Sequence, residues 1–394
     1  MIGRNVLEVL SIIMARTNQS SGNILNNHEL LSLKILQVCS DSYGQSGGVS
    51  VHVRNISERL ARNHDVTVYA PNYESKFPQF EIDNAVKVER FRCYAPNNAY
   101  FLSLEMLLKL RKVNFDVVHG HGYHAFPVHF STLARGKRFV VTTHFHGAGH
   151  TPFRNALIRL LKPFGERTLR KADKIIAVSE YEKSLLCESF GLSSEKVVVI
   201  PNGVDFSEFS GLEKRKRAFK SILYVGYLVG FKGAHYLVEA LPKLGDDVVL
   251  EIVGDGPLKP HLERRAQELK VDDRVRFYEN LTRRKLLQKY VDADVFAMLS
   301  SFEAYSIVVA EALVAGTPCV VANASALSEW VDNRTCYGVD FPISIDRLAE
   351  KISFVLENGV ERQELRRWVG TKILDWNDVA KQLEDIYETG VSSD

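Results

Sequence analysis

No run of apolar residues in this 394-residue chain approaches the roughly 20 that a membrane-spanning helix needs, so no such helix is expected. The nearest candidate is at the N-terminus, where Glu8 interrupts the apolar residues between Val6 and Met14. No small-residue cleavage site follows, which argues against a secretion leader. An excess of one charge is also missing. With 50 Lys+Arg against 48 Asp+Glu the formal charge is +2, and composition gives no reason to expect nucleic acid as a partner. Cysteine is scarce. Cys39, Cys93, Cys187, Cys319 and Cys336 are scattered and odd in number, and the chain has no C-x-x-C pair. Neither a disulfide framework nor a zinc site is indicated, and a reducing cytoplasm is the plain expectation.

What remains is an ordinary globular composition, 45% apolar and 25% charged, in a chain too long for one compact core. Residues 1–33 read as an N-terminal extension, mostly polar beyond Met14. From Lys34 onward short apolar strands alternate with amphipathic helices, the pattern of parallel α/β structure. Strands are expected at Ile35–Cys39, Val66–Tyr69, Val86–Phe91, Val117–His119, Phe139–Thr143, Ile175–Val178 and Val197–Ile200. The pattern restarts after the charged stretch Glu213–Arg217, with strands at Ser221–Val225, Val248–Val253, Val275–Tyr278, Val295–Leu299 and Pro318–Val321. Two Rossmann-like domains are therefore expected, over residues 34–210 and 211–372, with a hinge near Phe206–Arg217. Residues 373–394 should form a helix returning to the first domain. In such an arrangement the active site is expected in the cleft, at the carboxyl ends of the strands.

Four features carry chemistry. Gly47-Gly48-Val49 follows the first strand and opens a helix, where free amides and a close backbone suit phosphate; a flexible turn is the bland alternative. Seven histidines lie between His119 and His150. His119, His121, His144 and His146 stand at strand ends, where one or two should line the cleft and the rest be hydrogen-bonded structural groups. The H-x-H spacing makes a metal site conceivable, but no carboxylate or thiolate is patterned with it, so structural and cleft-lining roles are the expectation and a metal the lesser alternative. Lys232, in the glycine-bounded loop Gly226–Gly233, is placed to meet a diphosphate as a point charge, although a solvated surface lysine is the commoner fate. Glu303 and Glu311 bracket seven residues. Glu303 should lie in a loop and Glu311 in the following helix among apolar neighbours. There its carboxylate needs donors such as ribose hydroxyls, a buried salt bridge being the alternative. The amides of Ser306–Val308 form another helix start. Asp292-Ala293-Asp294 has a metal-binding look, but it precedes its strand at the end away from the cleft and reads as structural.

In order, Gly47-Gly48-Val49 with His52, His119-Gly120-His121, Thr142-Thr143-His144, Ala172–Ser179, Pro201-Asn202-Gly203-Val204-Asp205, Lys232-Gly233, Gly254-Asp255-Gly256-Pro257, the two-glutamate motif, Ala315-Gly316-Thr317-Pro318 and Glu329 resemble the retaining family 4 of the GT-B glycosyltransferases. The resemblance spans nearly everything from Lys34 to Tyr387. It implies two facing Rossmann-like domains and a hexose-type sugar moved, without a metal or other cofactor, from a nucleotide-sugar donor to a glycan or lipid-linked acceptor. It also implies roles. Gly47 and Gly48 would contact the donor phosphate. His144 would lie beside the transferred sugar, with His146 as the competing candidate and His121 nearby. Lys232 would hold the diphosphate, Glu303 the donor sugar and Glu311 the ribose, with Ser306 and Ile307 supplying amides. The match has departures. Tyr227 stands where the family usually carries Arg, Tyr305-Ser306 replaces Phe-Gly, and Asn280 replaces a frequent Gly. A nucleotide-sugar epimerase or phosphorylase on the same fold, or a nucleotide-sugar-binding pseudoenzyme, are the alternatives. A basic amphipathic segment, Arg154–Lys171, raises a location at the inner face of a membrane, against the plainer reading of a helix packed on its own domain.

Overall fold

The computed structural model describes residues 32–389, except 46, 96–99, 148–151 and 361. The expected N-terminal extension thus lies, but for its last two residues, outside the described residues. Among the described residues, fourteen strands make two sheets. In the first, β1 (Lys34–Val38), β2 (Asp65–Asn72), β3 (Phe80–Asp83), β4 (Val86–Arg92), β5 (Asn114–His121), β6 (Arg135–Thr142), β7 (Lys174–Ala177) and β8 (Val197–Val199) run in the order β3-β4-β2-β1-β5-β6-β7-β8. All pairings but β3–β4 are parallel. The second sheet is wholly parallel, in the order β11-β10-β9-β12-β13-β14, from β9 (Lys220–Val225), β10 (Val248–Val253), β11 (Val275–Tyr278), β12 (Val295–Met298), β13 (Cys319–Asn323) and β14 (Cys336–Asp340).

Covering a parallel sheet with helices buries both faces, so its strands lose the polar alternation of an exposed sheet. β12 (VFAM) is entirely buried, and so is β10 (VVLEIV) despite its Glu251. The Glu251 carboxylate is met by Arg217 and Lys289, each at 2.6 Å, and by the Tyr278 hydroxyl at 3.0 Å. Asp292 of the D-x-D triplet, also buried, pairs with Arg215 and Arg217, while Asp294 accepts from Lys214 and from the amide of Ser221. Both aspartates therefore tie the linker to β9 and β12.

Two strands have no counterpart in the sequence reading. β3 is an exposed antiparallel edge joined to β4 by Asn84-Ala85, both at positive φ (47° and 68°). Asn-Gly would have announced such a turn; alanine hides it. β14, with Gly338 at its centre, is a short edge strand without a clear apolar run.

The last helix, Trp376–Glu388, opens with a capping box between Asp375 and Asp378. It packs against the helix Gly48–Leu60 and buries Trp376, Val379, Ala380, Leu383 and Tyr387 in the core of the first sheet. Leu383 is 1% exposed in that core. Leu383→Ala is expected to destabilise the first domain by about 2–5 kcal/mol. A guanidinium unfolding midpoint equal to that of the unaltered chain would show the helix to be an appendage.

Candidate functional site

In each sheet the strand order reverses once. β1 has β2 on one side and β5 on the other, and β9 has β10 on one side and β12 on the other. At such reversals successive connections leave in opposite directions and open a crevice at the carboxyl ends. The residues singled out in the sequence follow those strands. Gly47 and Gly48 come after β1, His121 ends β5, and His144 and His146 come after β6. Lys232 follows β9, and Glu303 to Ser306 follow β12.

In the second domain, Lys232 closes a short 3-10 turn, Gly230–Lys232, and its ammonium lies 2.6 Å from a carboxylate oxygen of Glu303. Gly233 is indispensable to that turn. It has φ +78°, and a Cβ there would lie 2.3 Å from the carbonyl oxygen of Leu299. Glu303 is positioned by its own amide, which donates to Ser325 Oγ at 3.0 Å. Ser306 starts the helix Ile307–Val314 at φ +83°, with its hydroxyl buried and without a hydrogen-bond partner. Asn280 is at φ +50°. Both departures from glycine thus occupy left-handed backbone, which asparagine tolerates better than serine. Glu311 is buried, and Arg283 answers it with a guanidinium nitrogen at 2.6 Å, so the ion pair weighed as the alternative for this carboxylate is present. Burial raises the Glu311 pKa, and Arg283 opposes that rise. Arg283 also grips Glu208, near the hinge, at 2.7 Å, connecting the linker to Glu311. The Tyr227 side chain is 58% exposed.

In the first domain, Gly47 lies so close to Asp41 that a Cβ would stand 2.3 Å from its carboxylate, whereas space beside Gly48 is open. The histidines divide by environment. His119 is locked away from solvent, its Nδ1 2.6 Å from the Tyr387 hydroxyl and its Nε2 2.8 Å from Thr142 Oγ1. His121 Nε2 lies 2.6 Å from Gln37 Oε1, and His52 Nδ1 2.7 Å from Asn202 Oδ1. His144 sits at φ +47° on the loop after β6. That loop is held by the buried Glu182, whose carboxylate accepts from the Thr143 hydroxyl, the Phe145 amide and the Val178 amide. His146 lies near enough to Lys232 for the ammonium to add to the effect of burial in depressing its pKa. Glu329 of the second domain accepts from the amides of Glu180 and Tyr181 in the first, at the start of the helix Glu180–Phe190.

Residues 46–208 match the sequence family Glycosyltransferase Family 4, and residues 207–370 match Glycosyl transferases group 1. The chain belongs to this glycosyltransferase family. An uncharacterized glycosyltransferase of Methanocaldococcus jannaschii is 28% identical over 370 residues, covering 87% of this chain and 94% of its own. The GDP-mannose-dependent alpha-(1-6)-phosphatidylinositol monomannoside mannosyltransferase of Mycobacterium tuberculosis is 27% identical over 390 residues, covering 89% and 97%. Among solved structures, sucrose-phosphate synthase from Thermosynechococcus elongatus superimposes with a TM-score of 0.75 at 20% identity, covering 90% of this chain and 98% of that one. HepE of Anabaena in complex with UDP-glucose gives 0.73 at 19% identity, covering 91% and 100%. The fold is therefore that of the two-domain GT-B glycosyltransferases.

Within this glycosyltransferase, the parts played by four groups escaped the sequence reading, although one of them, Asn202, was quoted there within a motif. Arg283 sits 28 positions before its partner Glu311 and 75 after Glu208, a separation that leaves no periodic trace. Gln37, Asn202 and Tyr387 converge on the histidines from three distant parts of the chain.

The buried imidazoles also set a pH dependence. Burial holds His52, His129 and His146 down to about 4, from an ordinary 6.5, and His119, His121 and His144 well below 6.5. A depressed imidazole leaves the unfolded chain binding more protons between those values. Its contribution is whole above pH 6.5 and is lost as pH falls, by up to about 1.4 kcal/mol per pH unit for each group. Glu182, raised by burial to about 7 from 4.5, acts in the opposite direction over its own range, as do the raised Glu311 and Asp41, but these are three carboxyl groups against six imidazoles. Urea unfolding is expected to show a clearly lower midpoint at pH 5 than at pH 7. An equal or higher midpoint at pH 5 would contradict the neutral, buried state of these histidines.

Proposed function

We propose that the protein is a retaining, metal-independent transferase that moves a hexose-type sugar from a nucleoside-diphosphate sugar to a glycan or lipid-linked acceptor. The reading rests on the Lys232–Glu303 pair and the buried Glu311 of the second domain, and on the strand-end His146 of the first, close enough to Lys232 to feel its charge. The relatives point the same way: HepE was captured with UDP-glucose, and the mycobacterial mannosyltransferase is GDP-mannose-dependent and acts on a phosphatidylinositol mannoside.

In this reading the leaving diphosphate gathers charge as the sugar departs. Lys232, the amides from Ser306 and Ile307, and those of Gly47 and Gly48 stabilise that charge in place before it forms. Ribose hydroxyls donate to Glu311, whose own charge Arg283 already balances. Glu303 holds Lys232 and faces the donor sugar, and His144 lies on the sugar's other side, with His146 and His121 around it. The acceptor hydroxyl attacks from the leaving-group face and passes its proton to a donor phosphate oxygen, which retains configuration without a protein nucleophile. A cytoplasmic setting follows from the donor class. Contact with a membrane face is compatible with the helix Pro152–Lys171, where Phe164 is 65% exposed beside the exposed Lys162 and Arg167. Among the described residues no helix is long and apolar enough to cross a membrane.

Calorimetric binding of UDP, GDP and ADP, followed by the sugar conjugates of whichever binds, tests the donor assignment. No binding of any of the three would instead favour the pseudoenzyme reading suggested by the exposed Tyr227. Lys232→Ala and Glu311→Ala are each expected to lower transfer by about 10²–10³-fold with the fold retained, the scale of losing one preorganised donor. Near-normal turnover with either variant would remove that residue from the mechanism. Tyr227→Arg is expected to tighten diphosphate binding by supplying a second, bidentate cation. Unchanged affinity would mean that position 227 does not reach the phosphates.

A further inference from the structure

Three histidines from separate parts of the first domain meet near the strand ends: His52 on the helix Gly48–Leu60, His121 at the end of β5, and His144 on the loop after β6. One ring nitrogen of each lies within 4.8 Å of the other two. The ring centroids are 4.9 Å apart for His52 and His144, 5.4 Å for His52 and His121, and 6.4 Å for His121 and His144. Each ring keeps one buried nitrogen with no hydrogen-bond partner in the protein: Nε2 of His52, Nδ1 of His121 and Nε2 of His144. Three clustered imidazoles, each keeping an unpartnered buried nitrogen, are a costly arrangement for a site with nothing to bind.

The surrounding bonds fix what two of these nitrogens offer. Asn202 Oδ1 can only accept, so His52 Nδ1 carries the proton and Nε2 is left with a lone pair. Gln37 Oε1 likewise takes the proton of His121 Nε2, leaving a lone pair on Nδ1. The orientation of Gln37 is cross-checked by its neighbours. Its amide nitrogen donates to the Tyr387 hydroxyl at 3.4 Å, that hydroxyl donates to His119 Nδ1 at 2.6 Å, and His119 Nε2 donates to Thr142. A histidine whose far nitrogen is tied to an oxygen acceptor while its near nitrogen presents a lone pair is arranged as metal ligands are.

We propose that His52, His121 and His144 form a binding site for one divalent transition-metal ion of the zinc class. Imidazole suits zinc, cobalt, nickel and copper, and the absence of a carboxylate from the trio disfavours magnesium and calcium. Three histidines leave a fourth position for water or an exogenous ligand. Tetrahedral binding at about 2.0–2.1 Å draws the nitrogens in to roughly 3.4 Å of one another, a movement that small rotations of the imidazole rings supply while the backbone at His144 stays held. The H-x-H pairs visible in the sequence gave no such expectation, because His52 lies some seventy residues before His121 and each H-x-H pair sends only one member to the trio. Occupancy engages His144 and so excludes it from a donor sugar. That consequence alone rests on the role proposed for His144 above; binding does not.

The test uses the full-length protein, stripped with a chelator and titrated with cobalt(II) in the absence of any nucleotide sugar. Expected are one equivalent of cobalt with the intense visible absorption of a four-coordinate nitrogen site, and its loss on adding zinc(II). His52→Ala and His121→Ala should abolish that spectrum, Asn202→Ala should weaken binding by about 10–100-fold, and His261→Ala, on the distant second domain, should change nothing. His144→Gly guards against misfolding, since glycine adopts the positive φ of that position without strain; it too should lose the spectrum. Only the weak absorption of hydrated cobalt with the unaltered protein, or an unchanged spectrum in the folded His144→Gly variant, would overturn the proposal. Inhibition of transfer by zinc is a separate measurement. If zinc binds and transfer is unaffected, the metal site stands and the role given to His144 fails.

Discussion

A parallel strand cannot be followed by its neighbour through a tight turn; the chain must cross over the sheet, and it does so with the same hand nearly every time. That constraint governs this molecule. Every crossover returns the chain to the same edge, so the carboxyl ends of all the parallel strands of a sheet face one way, and where the direction of winding reverses the covering helices part. At β1/β5 and β9/β12 the backbone therefore provides two crevices before any side chain is chosen. The chemistry that fills them is built from what strand ends supply: free amides, glycines that let the chain turn sharply, and side chains directed beyond the sheet.

The architecture was legible because burial on both faces leaves a coarse signal. Runs such as Val248–Val253 and Val295–Met298 are apolar throughout, and one buried glutamate does not disguise the first. The edge strands were not legible. β3 shares little of the core and turns through Asn84-Ala85, and β14 is short and broken by glycine, so neither had to carry an apolar run. The candidate site shows the same division. Gly48, Lys232 and Glu303 follow the strands β1, β9 and β12 and Glu311 lies in the next helix, so local pattern singled them out while the resemblance alone gave them roles. Arg283, Gln37, Asn202 and Tyr387 act across separations of 28 to 350 residues, where a single sequence holds no trace of the pairing.

The left-handed residues show how the fold overrides residue preference. Ser306 and Asn280 hold positive φ where glycine would be unstrained, and His144 does so at the tip of the loop fixed by Glu182. Surroundings that keep three side chains in a sparsely populated conformation must themselves be rigid, and all three cases lie at the carboxyl edges of the sheets.

The helix Trp376–Glu388 completes the core begun by β1, and its Tyr387 hydroxyl is bonded to Gln37, 350 positions earlier. Synthesis is vectorial: the ribosome delivers the first sheet early and this helix almost last. While the second domain emerges, the first has an apolar face uncovered and a polar chain beneath its histidines unfinished. The nascent protein thus passes through a stage in which its second domain can close and its first cannot. The order in which the two halves mature is the reverse of the order in which they are made.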